Sequence, residues 1–365
     1  PILLSSCHTG KQITASGLQR KDFQTEVNGQ HTDLFTLSNK QGMEVCITNY
    51  GARVVSILVP DRNGKREDVV CGFSTITEYM EQRQNFGSTV GRYIGRILNA
   101  RFTLDGVEYK LVPNNGKSGH ISHGGNPGFA DRIWKVEQAD THRVRLSYLS
   151  PDGENGFPGN LKVTLVYSLG EDDNALDLTY EATTDAPTVL NLSHHSFFNI
   201  SGNFTKSVED QQLWVDADRF TPYDDKKCVT GEYLQVAGTP LDFRMPHAIG
   251  ECIDADHPQL KVVNGYDHTW ELNTKGDDTR PAAWVYDPAS GRKMEIFTTE
   301  PGMQIYTGNG LKGKMTGKRG IAYPFRSAVC FETMHFQDSP NQPGFPSTVL
   351  RPGEVFRSHT VYKFE

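Results

Sequence analysis

The run LKVTLVYSL (161–169), the link GEDDN (170–174) and the run ALDLTYEATT (175–184) decide the fold. Leu161, Val163, Leu165, Tyr167 and Leu169 recur at every second residue, the spacing that puts side chains on one face of a strand. The second run repeats the pattern with Leu176, Leu178, Tyr180 and Ala182. The polar link reads as a turn, so the three pieces together predict an antiparallel hairpin.

The same grammar extends outward to RFTLDGVEYKL (101–111), WVYDPASGRKMEIF (284–297) and VFRSHTVYKF (355–364). Helical periodicity is scarce, and only TITEYMEQR (75–83) sustains two turns. That excludes a doubly wound α/β fold and predicts an all-β chain, a large antiparallel β-sandwich. The 35 glycines and 19 prolines suit its many turns. No repeat, low-complexity tract or linker appears after residue 22, so residues 23–365 read as one domain.

The chain has 365 residues, 36% hydrophobic and 22% charged, enough to bury a sizeable core. Its net charge of -7, with no long basic run, gives no general attraction to nucleic acid or anionic membrane. No stretch approaches the roughly 20 apolar residues of a membrane helix. Cys7, Cys46, Cys71, Cys228, Cys252 and Cys330 are scattered, without CxxC spacing, and read as free, mostly buried thiols. Leu4 to Cys7 resemble a bacterial lipobox. Residues 1–6 then read as a signal-peptide stub and residues 8–22 as a polar tether, with a lipid anchor at Cys7. On that reading the protein is a periplasmic or outer-membrane lipoprotein; without it, the alternative is cytoplasmic.

Four segments are polar in ways that a sandwich core does not require. NFGSTVGRYIGRI (85–97) places Arg92 and Arg96 beside glycines, where backbone and ligand can approach closely, although an arginine there is commonly a surface ion pair. HISHGGNPGF (120–129) carries His123. NLSHHSFFNI (191–200) carries His194 and His195, which must point to opposite faces of a strand, so one at most can face a cleft. VCFETMHFQDSPNQPGFP (329–346) begins as an apolar strand and then carries Glu332 and His335. An inward carboxylate is costly unless paired or functional, which singles out Glu332. These histidines, with Asp267 and Glu332, are metal-ligand types, but no short ligand spacing such as HExxH is present. Phosphate-loop, dinucleotide and GxSxG patterns are also missing from the sequence. The sequons at Asn191, Asn199 and Asn203 lie in or beside the His195 segment, where a glycan would obstruct a site, and read as accidental.

Taken in order, these segments resemble the aldose 1-epimerase (galactose mutarotase) family, from HTDLFTLSNKQGMEVCITNYGARVVSILVPDRNGKREDVVCGF (31–73) to LRPGEVF (350–356). The resemblance implies a galactose mutarotase-like sandwich with an open groove for sugar. It implies interconversion of the α and β anomers of free hexoses such as glucose and galactose, without metal or cofactor. His195, before S-F-F-N, matches the family's acid, and Glu332 in F-E-T its base. His123 matches a ligand on the ring-oxygen side and Arg96 the sugar-binding arginine of a G-R-x-x-N-R-I motif. Asp267 in NGYDHTW matches a hydroxyl-binding aspartate, and Gln304 in PGMQIYTGN a further polar contact. Glu332 ionised and His195 protonated at neutral pH would flank the anomeric carbon. The implied partner is a free monosaccharide, and the implied state a monomer or weak dimer. Three positions depart from the family's usual residues: Gly95 where Asn precedes the arginine, Met334 where Gln follows E-T, and Gln337 where Pro precedes Asp338. They bear on specificity. The rival readings are a hexose-phosphate epimerase, which would need extra cations at the groove, a non-catalytic carbohydrate-binding domain, and a two-carboxylate glycosidase.

Overall fold

A computed structural model describes residues 12–365. The decisive hairpin forms as its alternation dictates: Leu161–Leu169 pairs antiparallel with Ala175–Thr184, with Leu165 opposite Tyr180. The nine alternating apolar side chains named above are all buried, while Lys162 is exposed and Val166 half-buried on the other face. The hairpin supplies the third and fourth strands of a nine-stranded sheet. In spatial order its strands are Lys135–Ala139, Arg143–Ser150, the hairpin pair, Phe356–Phe364, Lys293–Thr298, Ala283–Tyr286, Gln212–Val215 and His247–Ala248.

A six-stranded sheet packs against it, in the order Phe197–Phe198, Val329–Met334, Gly302–Tyr306, Asp267–Glu271, Arg219–Thr221 and Leu234–Gln235. One face of this second sheet supplies Phe331, Ile305, Met303 and Trp270 to the same core cluster as Leu165, Leu178 and Tyr180. Polar ties cross the core as well: the Tyr362 hydroxyl donates to the Phe331 carbonyl at 2.9 Å, and the Thr333 and Thr360 hydroxyls lie 2.7 Å apart. A four-stranded sheet, from Leu34–Ser38 to Arg66–Asp68, closes the core with Val45, Ile47, Val54 and Ile57. The expected all-β architecture is therefore present, as layered antiparallel sheets.

The single expected helix forms at Ile76–Gln82 with a capping box: the Thr75 hydroxyl accepts from the Glu78 amide, and the Glu78 carboxylate from the Thr75 amide. A second short helix, Pro258–Val263, escaped the periodicity reading because six residues are too few to show a 3.6 period. Its punctuation was nonetheless legible, with proline in the first turn and Asn264 in a left-handed conformation at its end.

The reading of residues 8–22 as a tether differs from the structure over its described part. Leu18 is buried with Phe23, the amides of Ala15 and Ser16 donate to the Glu44 carboxylate, and Ser16 lies 3.0 Å from Ser56. The segment lacks an apolar period but satisfies a buried carboxylate, so packing begins before residue 23. Cys7 lies outside the described residues. Of the remaining cysteines, all unpaired, Cys46, Cys71 and Cys330 are buried and Cys228 and Cys252 partly so. No helix among the described residues is long and apolar enough to cross a membrane. Asn191 and Asn199 are buried, and their carboxamides bond to the His335 and Ser327 carbonyls, which leaves no room for a glycan; Asn203 is exposed.

Candidate functional site

The face of the six-stranded sheet turned away from the core carries the polar residues, and strand periodicity explains how. Cross-strand registry aligns Thr269, Gln304 and Glu332 in one row and Asp267, Tyr306 and Cys330 in the next. Residues two apart share a face, so Asp267, Gln304, Tyr306, Glu332 and Met334 all line one groove while their neighbours His268, Ile305, Phe331 and Thr333 turn inward. The groove encloses about 250 Å³.

His195 enters from the strand Ser193–His195, which pairs with Ser88–Val90. Its ring stacks on Phe197 and meets the His123 ring edge-on, with centroids 5.1 and 5.4 Å away. Nε2 stands 3.5 Å from Glu332 Oε1, and Nδ1 lies 3.7 Å from Cys330 Sγ. His194, one residue earlier, faces the core between Tyr167 and Ser196, its Nε2 2.6 Å from the Ser196 hydroxyl. Strand alternation thus separates the two histidines as expected.

Arg96 and His123 come from the loops over the groove. The strand Arg96–Ile97 pairs with Ile121–Ser122, and His123 adopts φ +52°. Gly124 must be glycine: at φ +79° its Cβ would lie 1.9 Å from the Gly91 carbonyl oxygen. His123 Nδ1 accepts from the Gly95 amide at 3.4 Å, so in the neutral ring the proton is on Nε2. An Arg96 Nη1–H donates to the Lys227 carbonyl at 3.2 Å. Gln304 Nε2 donates to Asp267 Oδ1 at 2.7 Å.

Desolvation dominates the electrostatics. Burial, with the neighbouring Asp267 adding to it, pushes the Glu332 carboxyl well above the ordinary range. Burial and then His123 push the His195 imidazole well below. Burial lifts Asp267 and lowers His123 to about 4, with Arg96 adding to the second shift. Burial thus disfavours the charged form of each group, against the expectation of an ionised Glu332 beside a protonated His195, while their 3.5 Å separation lets one proton be shared between them.

All six expected site residues, Arg96, His123, His195, Asp267, Gln304 and Glu332, line this one groove. Neither arginine of the 85–97 segment is a surface ion pair. Arg92 is buried, its guanidinium donating to the carbonyls of Pro158, Gly159 and Ser150, a structural role. His335 turns away from the groove and pairs with buried Glu300 at 2.6 Å; burial is the largest single influence and opposes its charge, but the hydrogen bond and the charge of Glu300 together outweigh it and hold its pKa above the ordinary value. Of the metal-ligand types, His195, Cys330 and Glu332 offer donor atoms within 4.8 Å of one another. Sequence reasoning missed Tyr223, Tyr306 and Asn85 as lining residues. Tyr306 was accessible through its period-two relation to Gln304. Tyr223 was not, because it follows a strand of only three residues, Arg219–Thr221, with no readable alternation.

Comparison with known proteins agrees over nearly the whole chain. The family described as aldose 1-epimerase matches residues 33–363. The chain is 40% identical to the galactose mutarotase of Bos taurus over 331 residues, covering 90% of this chain and 93% of that protein. It is 36% identical to the aldose 1-epimerase of Escherichia coli strain K12, covering 92% and 96%. Among solved structures, the GalM/aldose epimerase homologue from C. elegans superposes with a TM-score of 0.84 at 31% identity, covering 92% of this chain and 99% of that one. The galactose 1-epimerase from Lactobacillus acidophilus superposes with a TM-score of 0.81 at 28% identity, covering 93% and 96%.

Proposed function

This chain belongs to the aldose 1-epimerase family, and from that premise we propose that its groove interconverts the α and β anomers of a free hexose, with Glu332 and His195 as the proton-transfer pair. The observation that carries this reading is a buried carboxyl 3.5 Å from a buried imidazole in a polar groove.

Mutarotation moves two protons at one carbon. The anomeric hydroxyl loses its proton as the bond from the anomeric carbon to the ring oxygen breaks, and the ring oxygen gains one. Both oxygens are bonded to the same carbon, so a base and an acid standing side by side can address one each. With its carboxylate form Glu332 takes the hydroxyl proton while the His195 imidazolium protonates the ring oxygen, leaving an open-chain aldehyde, a neutral carboxyl and a neutral imidazole. This product arrangement is the one that burial favours. The aldehyde then rotates about the bond to its neighbouring carbon. In closure His195 takes the proton back from the chain hydroxyl as that oxygen attacks the carbonyl, and Glu332 returns its proton to the new anomeric oxygen. The pair ends as it began, with no net proton and no redox change. Each positioned transfer contributes roughly 10² to 10⁴ in rate. Arg96, Asp267, Gln304 and His123 would hold the remaining oxygens, so that the open chain recloses before it leaves.

Among the residues lining the groove Arg96 is the only arginine or lysine, and two carboxyls accompany it, a poor setting for a sugar phosphate. The test is polarimetry of freshly dissolved α-glucose, α-galactose and other free sugars. Acceleration of the approach to equilibrium supports the reading, and no acceleration with any sugar overturns it. The lipid-anchor and lipoprotein reading rests on Leu4 to Cys7 alone. Intact-mass measurement of the protein from bacterial membranes, with a diacylglyceryl mass at Cys7 as the expected result, tests it.

A further inference from the structure

Gly95, Gln337 and Tyr223 form an interlocked set beside the proposed catalytic pair. Gly95 has φ +74°, and a Cβ there would lie 2.5 Å from Gln337 Cγ, so the Gln337 side chain occupies the space that any side chain at 95 would need. Gln337 is 5% exposed and lines the groove. The orientation of its carboxamide is fixed chemically. The Arg96 amide, a donor only, meets Oε1 at 3.2 Å, which turns Nε2 toward Tyr223, where it donates to the phenol oxygen at 2.7 Å. Gln304 Nε2 points at the same oxygen from 3.4 Å. The Gln304 Oε1, the other acceptor nearby, already receives both the Thr269 hydroxyl and Gln337 Nε2, which fills its two lone pairs.

The phenol oxygen therefore receives two N–H groups and must use its own hydrogen elsewhere. Among the described residues no group accepts that hydrogen, although Tyr223 is 4% exposed and lines the groove. A buried hydroxyl aimed into a polar groove without an acceptor is a donor awaiting a ligand oxygen. We infer that Tyr223 donates to a ring hydroxyl of the bound sugar and that Gln337, seated over Gly95, is the residue that positions it. Tyr223 is a binding residue that sets sugar preference; Gln337 acts through it. The inference rests on the mutarotase reading.

The experiment compares the parent, Tyr223→Phe and Gln337→Met by polarimetry on glucose, galactose and their monodeoxy analogues. Tyr223→Phe should raise KM about 3- to 10-fold with kcat nearly unchanged, the effect of one neutral hydrogen bond. One deoxy sugar, the analogue lacking the hydroxyl that Tyr223 reads, should show no difference between parent and variant. Gln337→Met keeps the volume and removes the donor, and it should reproduce the same KM pattern on the same sugar. A parent inactive on every free sugar overturns the mutarotase reading as well. With an active parent, an unchanged KM in Tyr223→Phe, or an equal penalty on every deoxy analogue, overturns this inference alone. If Gln337→Met fails to fold by circular dichroism, the Tyr223→Phe panel decides the binding role, and Gln337→Glu, which retains Oε1 for the Arg96 amide, replaces Met in the positioning test.

Discussion

Replacing Glu332 with Gln removes the proposed base while keeping the shape of the side chain. The strand Val329–Met334 that carries it is buried along its length, and Glu332 itself is 4% exposed, so the surroundings cannot relax around a smaller group. Gln fits because burial already favours the neutral carboxyl. The loss of one positioned proton transfer predicts a fall in kcat of about 10²- to 10⁴-fold, equivalent to roughly 3–5 kcal/mol of transition-state stabilisation at about 1.4 kcal/mol per decade. Stability should move the other way with pH. The folded carboxyl titrates well above the ordinary 4.5, so the folded state holds its proton more tightly than the unfolded chain does. That contribution is complete below 4.5 and is lost as pH rises through the folded value. Gln has no proton to lose, so the melting temperature of the variant minus that of the parent should increase as pH rises from 4.5. Polarimetry of fresh α-galactose, with sugar binding followed by calorimetry, reads the kinetic arm. A variant that binds sugar and retains the parental kcat would refute the assignment of Glu332.

The two histidines should separate cleanly. His195→Asn should lower kcat by a similar factor, whereas His194→Asn, which loses the Ser196 and Tyr167 contacts inside the core, should cost about 1–3 kcal/mol in denaturant melts with the folded protein still active. The pH–rate profile should report the pair as a unit, with a single shared proton as the working state. Because burial lowers His195, the acid limb, where the imidazole gains a second proton, should fall below pH 6.5; an acid limb above that value contradicts the site's electrostatics. Dialysis against EDTA should leave the rate unchanged, and a loss restored by added Zn²⁺ would assign a metal to His195, Cys330 and Glu332.

Local alternation was enough to read the hairpin of residues 161–184, because each buried side chain is two positions from the next and the intervening turn is polar. The same rule places Gln304 and Tyr306, and Cys330 and Glu332, on common faces. The rows that join Thr269 to Gln304 and Glu332 depend on registry between strands distant in the chain, which periodicity within one strand does not encode.

What the sequence determined by itself was the strand class, the opposition of His194 and His195, and the oddity of a carboxyl inside VCFET. Each follows from the two-residue repeat of a strand or from the cost of burying charge. The pairing of Glu332 with His195 was implied by the family resemblance; tertiary structure alone decided that they approach to 3.5 Å, that burial disfavours their charged forms, and that Gln337 fills the space above Gly95. Those outcomes depend on desolvation and steric exclusion among residues up to 242 positions apart, and such forces act only once the sheets have packed.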